Sequence, residues 1–316
     1  MLNRTLPATD LNVSSLCFGT TDVGGAVPAA DAELLLDAFV AAGGVFIDTA
    51  AVYSNWRPGE RSASEKTIGR WMKKRGNRRR LVIATKGAHP EMADMHAPRS
   101  SPAEIVADLD DSLRHLQTDV IDLYLLHRDD RARPVEEALE TLDRQVKLGK
   151  IRYFGCSNWH TDRIAAAQAY ARRRGMTGFV ANQTWWSLAQ VNLAHHPDDT
   201  VCAMDGVMWQ FHQAGGMAVM AYSSQAGGYF QKILAGQPGQ PLYASAENDA
   251  RSRRVLALAA ETGLTVTQVV LGYLLSQPFV TVPVVGCKTL AHLHDTLTAA
   301  EVTLTPEQCA WLASPT

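Results

Sequence analysis

The chain carries no excess of either charge. Its 316 residues hold 30 Lys and Arg against 32 Asp and Glu, a formal charge of −2. A nucleic-acid binder needs a basic surplus to displace counterions from phosphates, so no nucleic-acid partner is expected. Uninterrupted apolar runs of about 18 residues, the length a membrane-spanning helix needs, are also missing. The opening MLNRTLPATDLNV lacks the apolar core of a signal peptide. The five cysteines, Cys17, Cys156, Cys202, Cys287 and Cys309, are odd in number and form no C-x-x-C. That argues against a disulfide framework or a zinc site and for reduced thiols in a soluble, cytoplasmic protein with no membrane partner.

Several chemical signatures are absent too. There is no G-x-G-x-x-G dinucleotide fingerprint, no G-x-S-x-G nucleophile elbow and no H-E-x-x-H metal pair. His195-His196 and His292/His294 stand adjacent or two apart, so no metal site is expected.

What is present is an ordinary globular balance, 46% apolar and 20% charged. β-Branched runs at 16–19, 45–48, 81–85, 120–127, 151–156, 179–182, 217–221 and 281–285 read as strands. Helix-period segments fall between or after them, at 32–42, 64–74, 102–116, 135–148, 162–173, 201–214, 251–262, 266–276 and 290–300. Ser101 before Pro102 is a helix start, and Gly43-Gly44, Gly149, Gly175 and Gly215-Gly216 stand where left-handed caps are wanted. Most of the strands are continuously apolar, which implies a parallel sheet covered by helices. An open doubly wound sheet and a closed barrel share this signature, and the count of eight favours the barrel. No Pro/Gly/Ser linker divides the chain, so residues 1–316 read as one barrel domain, closed underneath by an N-terminal β-hairpin within 2–13. Two irregular stretches, 184–214 and 227–248, are candidate lids over the barrel face that carries active sites.

Four ionisable residues fall at or just after three successive strand ends. Asp48 closes VFID, Tyr53 follows it by five, Lys86 closes LVIATK and His127 closes VIDLYLLH. In a parallel barrel those ends share one rim. The set suits proton transfer: Lys86 can stabilise a Tyr53 anion, Asp48 can hold Lys86, and His127 can donate to a carbonyl oxygen. Together they would protonate that oxygen as a hydride reaches its carbon.

The motifs FGT (18–20), FIDTAAVY (46–53), SEKTIG (64–69), IATKG (83–87), DVIDLYLLH (119–127), GKIRYFGCSN (149–158), ANQ (181–183), AYSS (221–224) and VPVVGCK (282–288) resemble those of the aldo-keto reductases. The resemblance covers nearly the whole chain. It implies a (β/α)₈ TIM barrel with long loops on its C-terminal face, and a nicotinamide dinucleotide bound without a Rossmann domain. Its catalytic tetrad maps onto Asp48, Tyr53, Lys86 and His127. It implies cofactor contacts from Gly19 and Thr20 beside the nicotinamide ribose, from Asp48, and from Ser157, Asn158 and Gln183 at the carboxamide. Tyr222 would stack on the nicotinamide ring, and Ser223, Gln225 and Gly227 would form the pyrophosphate loop. Gly286, Lys288, His292, Asp295 and Thr296 would meet the adenosine end. His292 and Thr296 depart from the residues many relatives carry there. Lys288 remains as the partner for a 2′-phosphate, so NADP(H) is expected in preference to NAD(H).

Trp56, Trp159, Trp185 and Trp186 follow strand ends and form a candidate stacking platform for substrate, with Arg57 and Arg128 as hydrogen-bond donors. That platform points to a small carbonyl or alcohol, of sugar or polyol type. The basic run from Lys73 to Arg80 reads as a solvated helix end. A cofactor-binding regulatory or sensor subunit on the same fold is the alternative to an enzyme.

Overall fold

The computed structural model describes residues 1–315. A two-stranded antiparallel hairpin, β1 (Asn3–Thr5) and β2 (Asn12–Ser14), precedes the main sheet. The barrel strands are β3 (Cys17–Gly19), β4 (Phe46–Asp48), β5 (Val82–Gly87), β6 (Ile121–Leu126), β7 (Ile151–Ser157), β8 (Phe179–Trp185), β9 (Ala218–Tyr222) and β10 (Thr281–Val285). All pair in parallel with their chain neighbours, and β10 closes the ring on β3 through Val284↔Cys17 and Val285↔Phe18. This is the (β/α)₈ barrel expected from the strand count.

The first helices are α1 (Ala29–Ala41), α2 (Ala63–Arg75), α3 (Pro102–Leu116), α4 (Val135–Lys147), α5 (Thr161–Arg174) and α6 (Gly206–Gln213). They are followed by α7 (Tyr229–Leu234), α8 (Ala246–Thr262), α9 (Val266–Leu275), α10 (Leu290–Leu297) and α11 (Pro306–Ala313). Ser101 caps α3 in a capping box with Glu104, as the Ser-Pro start implies. Among the described residues no single helix is long and apolar enough to cross a membrane.

Strand parity explains both the core and the site. Side chains alternate between the barrel interior and the helix layer. On β9, Ala218 and Met220 join the interior cluster, while Val219 and Ala221 face the helices. Likewise Leu123 and Leu125 of β6 point inward, while Tyr124 and Leu126 point outward. Below, Leu6, Leu11 and Val13 from the hairpin region are almost fully buried in that same interior cluster, so the hairpin plugs the bottom of the barrel.

Three sequence expectations need correction. The helix predicted over 201–214 begins only at Gly206, because 202–204 instead bonds to the end of β8: Trp185 N donates to Cys202 O and Met204 N to Trp185 O. Asp205 then caps α6 by accepting from Met208 N at 2.7 Å. The stretch 227–248, read as irregular, contains α7, a 3₁₀ turn at Pro241–Tyr243 and the start of α8, with Tyr229 and Phe230 buried in the first and Tyr243 in the second. Finally, α11 went unpredicted despite its Thr305–Gln308 capping box ahead of Pro306.

Candidate active site

Continuing the strand parity upward generates the site. Phe46, Ala84 and Leu125 face the interior, so Asp48, Lys86 and His127, two residues further along, must face it at the rim. The same step from Ala181 gives Gln183, and from Met220 gives Tyr222.

Lys86 is fully buried, and Asp48 is 1% exposed. Lys86 Nζ donates to both oxygens of Asp48 at 2.8 Å, to Thr49 O at 2.8 Å and to Tyr53 OH at 2.9 Å. Tyr53 OH also lies 3.4 Å from Asp48 Oδ2. Gln183 Nε2 donates to Asp48 Oδ1 at 2.8 Å, completing the carboxylate's partners. Burial works against the Lys86 ammonium, but Asp48 and then Tyr53 outweigh it and hold its pKa above the usual value. For Tyr53, burial raises the phenol above 10, and Lys86 offsets this only in part. The phenol is therefore protonated at neutral pH.

His127 lies edge-on to Tyr53, with ring centroids 5.9 Å apart. Burial, and then His89 and Arg128, push it well below 6.5, so the ring is neutral. Its Nδ1 is buried with no partner. A hydrogen there would be a sealed, unsatisfied donor, so the Nε2–H tautomer is favoured.

Around this core the candidate cofactor residues divide. Asn158, held at φ +58, spends its whole side-chain amide within the protein. Oδ1 accepts from Tyr222 OH at 2.7 Å and Cys202 N at 3.1 Å, while Nδ2 donates to Ser157 Oγ and His127 O. The Ser157 hydroxyl hydrogen and Gln183 Oε1 carry no protein partner among the described residues. One donor and one acceptor side by side is the complement of a primary carboxamide, so these two residues fit a nicotinamide amide group.

Gly19 is pressed on β10, where an added Cβ would stand 2.8 Å from Val284 Cγ1; at Gly286 a Cβ would meet nothing within 4 Å. Thr20 is buried and donates to Asp48 O. Ser223 and Gly227, both at positive φ, shape the turn after β9, and Gln225 Nε2 bonds to Thr296 Oγ1 at 3.2 Å. Lys288 pairs with Asp22 at 3.0 Å and is 60% exposed. His292 is exposed on α10, while Asp295 accepts from Thr267 on α9 at 2.6 Å. Lys288 and His292 therefore face solvent, whereas Asp295 and Thr296 have protein partners.

The candidate substrate residues divide more sharply. Trp56 is 42% exposed and meets Tyr53 edge-on at 6.3 Å, with Arg57 exposed beside it. Trp185 packs on Tyr222 at 5.5 Å. The other three are engaged elsewhere. Trp159 packs on Phe179 in the helix layer, beneath the Arg163 guanidinium. Trp186 stacks on Phe279. Arg128 is 8% exposed and donates to Asp198, Thr200 and His127 O. These bonds pin the loop after β8. A cavity of about 1550 Å³ opens beyond Trp185, lined by residues such as Trp186, Trp209 and Tyr273. None of Asp48, Tyr53, Lys86 or His127 lines it, so volume alone does not mark the site. His89, whose ring touches His127, was missed; its signal was a histidine three residues beyond the rim lysine.

The Aldo/keto reductase family model matches residues 15–314. Among similar proteins are aldo-keto reductase ausK of Aspergillus calidoustus, 31% identical over 98% of this chain and 80% of its own. The uncharacterized oxidoreductase YrpG of Bacillus subtilis is 32% identical over 96% of this chain and 92% of its own. An NADP(+) aryl-alcohol dehydrogenase of Phanerodontia chrysosporium is 30% identical over 97% of this chain and 83% of its own.

Proposed function

The chain belongs to the aldo/keto reductase family, an oxidoreductase family acting on carbonyl compounds, and from that premise we propose an NADP(H)-dependent reductase of aldehydes or ketones with Tyr53 as general acid. The observation that carries the reading is the buried Asp48–Lys86–Tyr53 network, joined at the rim by neutral His127. When bound, the nicotinamide supplies the hydride in reduction and accepts it in alcohol oxidation.

The remaining work falls to the chain's own residues. His127 donates its Nε2 hydrogen to the substrate oxygen and orients it. Tyr53 gives its phenolic proton to that oxygen as negative charge develops there. Lys86, within 2.9 Å, stabilises the phenolate left behind, and Asp48 keeps the ammonium charged and aimed. Ser157 and Gln183 would hold the carboxamide, and Tyr222 would lie against the ring. Asn158 then acts as a brace linking Tyr222 to the loop at Cys202. Lys288 would meet a 2′-phosphate once it leaves Asp22. The described residues, 1–315, would act as one barrel domain. The mouth at Trp56 and Arg57 suits a small carbonyl compound, sugar-like or aryl.

The test is consumption of NADPH, followed by its absorbance, with a panel of aldehydes and ketones and no added metal. Turnover supports the reading. Tight NADPH binding without turnover on any carbonyl would favour the sensor alternative instead.

A further inference from the structure

His89 has no role in the chemistry above, yet it stands directly against it. It lies two residues after β5 ends at Gly87. Its ring meets His127 edge-to-face, with centroids 4.7 Å apart and planes at 67°. Tyr53 meets His127 in the same manner, so Tyr53, His127 and His89 make a continuous row of rings.

The two imidazoles differ in polarity. His89 Nδ1 lies 2.6 Å from Pro90 O. A carbonyl oxygen can only accept, so Nδ1 carries the hydrogen and Nε2 presents a lone pair. Nε2 bonds to nothing among the described residues and, unlike His127 Nδ1, is not sealed from solvent. Burial, and then Arg128, push His89 down to about 4, so that lone pair is free at neutral pH. His127, by contrast, presents Nε2–H. A donor and an acceptor are therefore carried on two touching rings at the rim.

We propose that His89 is a specificity-determining residue that accepts a hydrogen bond from a hydroxyl on the carbon next to the substrate carbonyl. The preferred substrates are thus α-hydroxy aldehydes and ketones, which offer an acceptor oxygen and a donor hydroxyl on adjacent carbons. This rests on the carbonyl-reductase reading and adds a second point of recognition to it. An unmet acceptor at His89 penalises a substrate whose neighbouring group cannot donate.

The experiment compares kcat/KM for hydroxyacetone against methoxyacetone, and for 2-hydroxyacetophenone against 2-methoxyacetophenone. The aliphatic pair represents sugar-like substrates and the other pair aryl ones. Intrinsic reactivity differs within each pair, so the quantity read is the change in ratio on mutation, which cancels it. Wild type should prefer the hydroxy member by on the order of tenfold, the worth of one hydrogen bond to a neutral group. His89→Phe keeps an aromatic edge against His127 but removes the acceptor. Its ratio should fall by most of that factor in at least one pair, with turnover of the methoxy ketone preserved. His89→Asn retains an acceptor oxygen and should recover part of the preference. If His89→Phe does not fold, as judged by circular dichroism, His89→Leu replaces it. Turnover of all four ketones with the ratios unchanged by mutation overturns the role of His89 alone. No turnover of any ketone or aldehyde by wild type overturns the carbonyl-reductase reading and this proposal with it.

Discussion

The rim at Asp48, Tyr53 and Lys86 and the surface at Lys288 and Asp22 both place a lysine beside an aspartate, but the surroundings differ. Lys86 and Asp48 are 0% and 1% exposed, whereas Lys288 and Asp22 are 60% and 31% exposed. In the first pair, water is excluded and every donor of the ammonium has a partner, so one geometry is fixed. In the second, solvent and salt screen the attraction, and either side chain can leave the other. Buried charge suits chemistry that needs fixed distances, and exposed charge suits a ligand that comes and goes.

The largest expected effect lies in the buried pair. Lys86→Met leaves Asp48 buried without its cation, a loss of typically about 3–5 kcal/mol, and removes the group that stabilises a Tyr53 anion. Denaturant melts should show a large drop in stability, and turnover of the folded fraction should be lost. If Lys86→Met were as stable and as active as wild type, the buried pair would be no different in kind from the exposed one.

Arg128 comes next. Arg128→Met removes the guanidinium bonds to Asp198 and Thr200 and leaves the 198–204 loop with fewer ties to the barrel, among them those at Cys202 and Met204. Hydrogen bonds to charged groups contribute roughly 1.5–3 kcal/mol each, so a lower Tm and faster proteolytic cleavage within this loop are expected. Unchanged melting and cleavage would return Arg128 to the role of a free substrate donor.

A smaller effect is set by pH. His89 and His212 are both pushed down to about 4, in each case chiefly by burial. The unfolded chain binds these protons near 6.5, so the stability that the neutral rings contribute is complete above that value. It should be lost as pH falls from about 6.5 through 4. His212→Phe should remove part of that loss in thermal melts recorded across this window. Lys86 has the opposite sign: its raised value keeps its contribution intact until pH rises through and beyond about 10.5.

The smallest effect belongs to the exposed pair. Lys288→Ala should weaken NADPH several-fold at low salt and NADH much less, read by quenching of tryptophan fluorescence. Equal weakening of both would place the 2′-phosphate elsewhere.

The same contrast explains what the sequence revealed. Strand ends carrying Asp48, Lys86 and His127 were legible because parity and an apolar run leave a polar rim residue one direction to point. The start of α6 was not legible, because long-range bonds from Cys202 and Met204 to Trp185 override a helical pattern. The surroundings of Arg128, Trp159 and Trp186 were not legible for a related reason. A residue after a strand end has a sequence position at the rim, but its direction is decided by partners such as Asp198, Phe179 and Phe279 that lie far away in the chain. Residue type alone could not distinguish an arginine offered to substrate from one already spent on a loop.

The most direct test of the buried network is Tyr53→Phe, measured for both NADPH binding and turnover. The variant deletes one hydroxyl and leaves the Lys86–Asp48 pair and the ring packing in place. NADPH affinity should stay close to wild type, with kcat reduced by about 10²–10⁴-fold. A Tyr53→Phe protein that keeps most of its reductase rate would contradict this, because the proton would then come from another group.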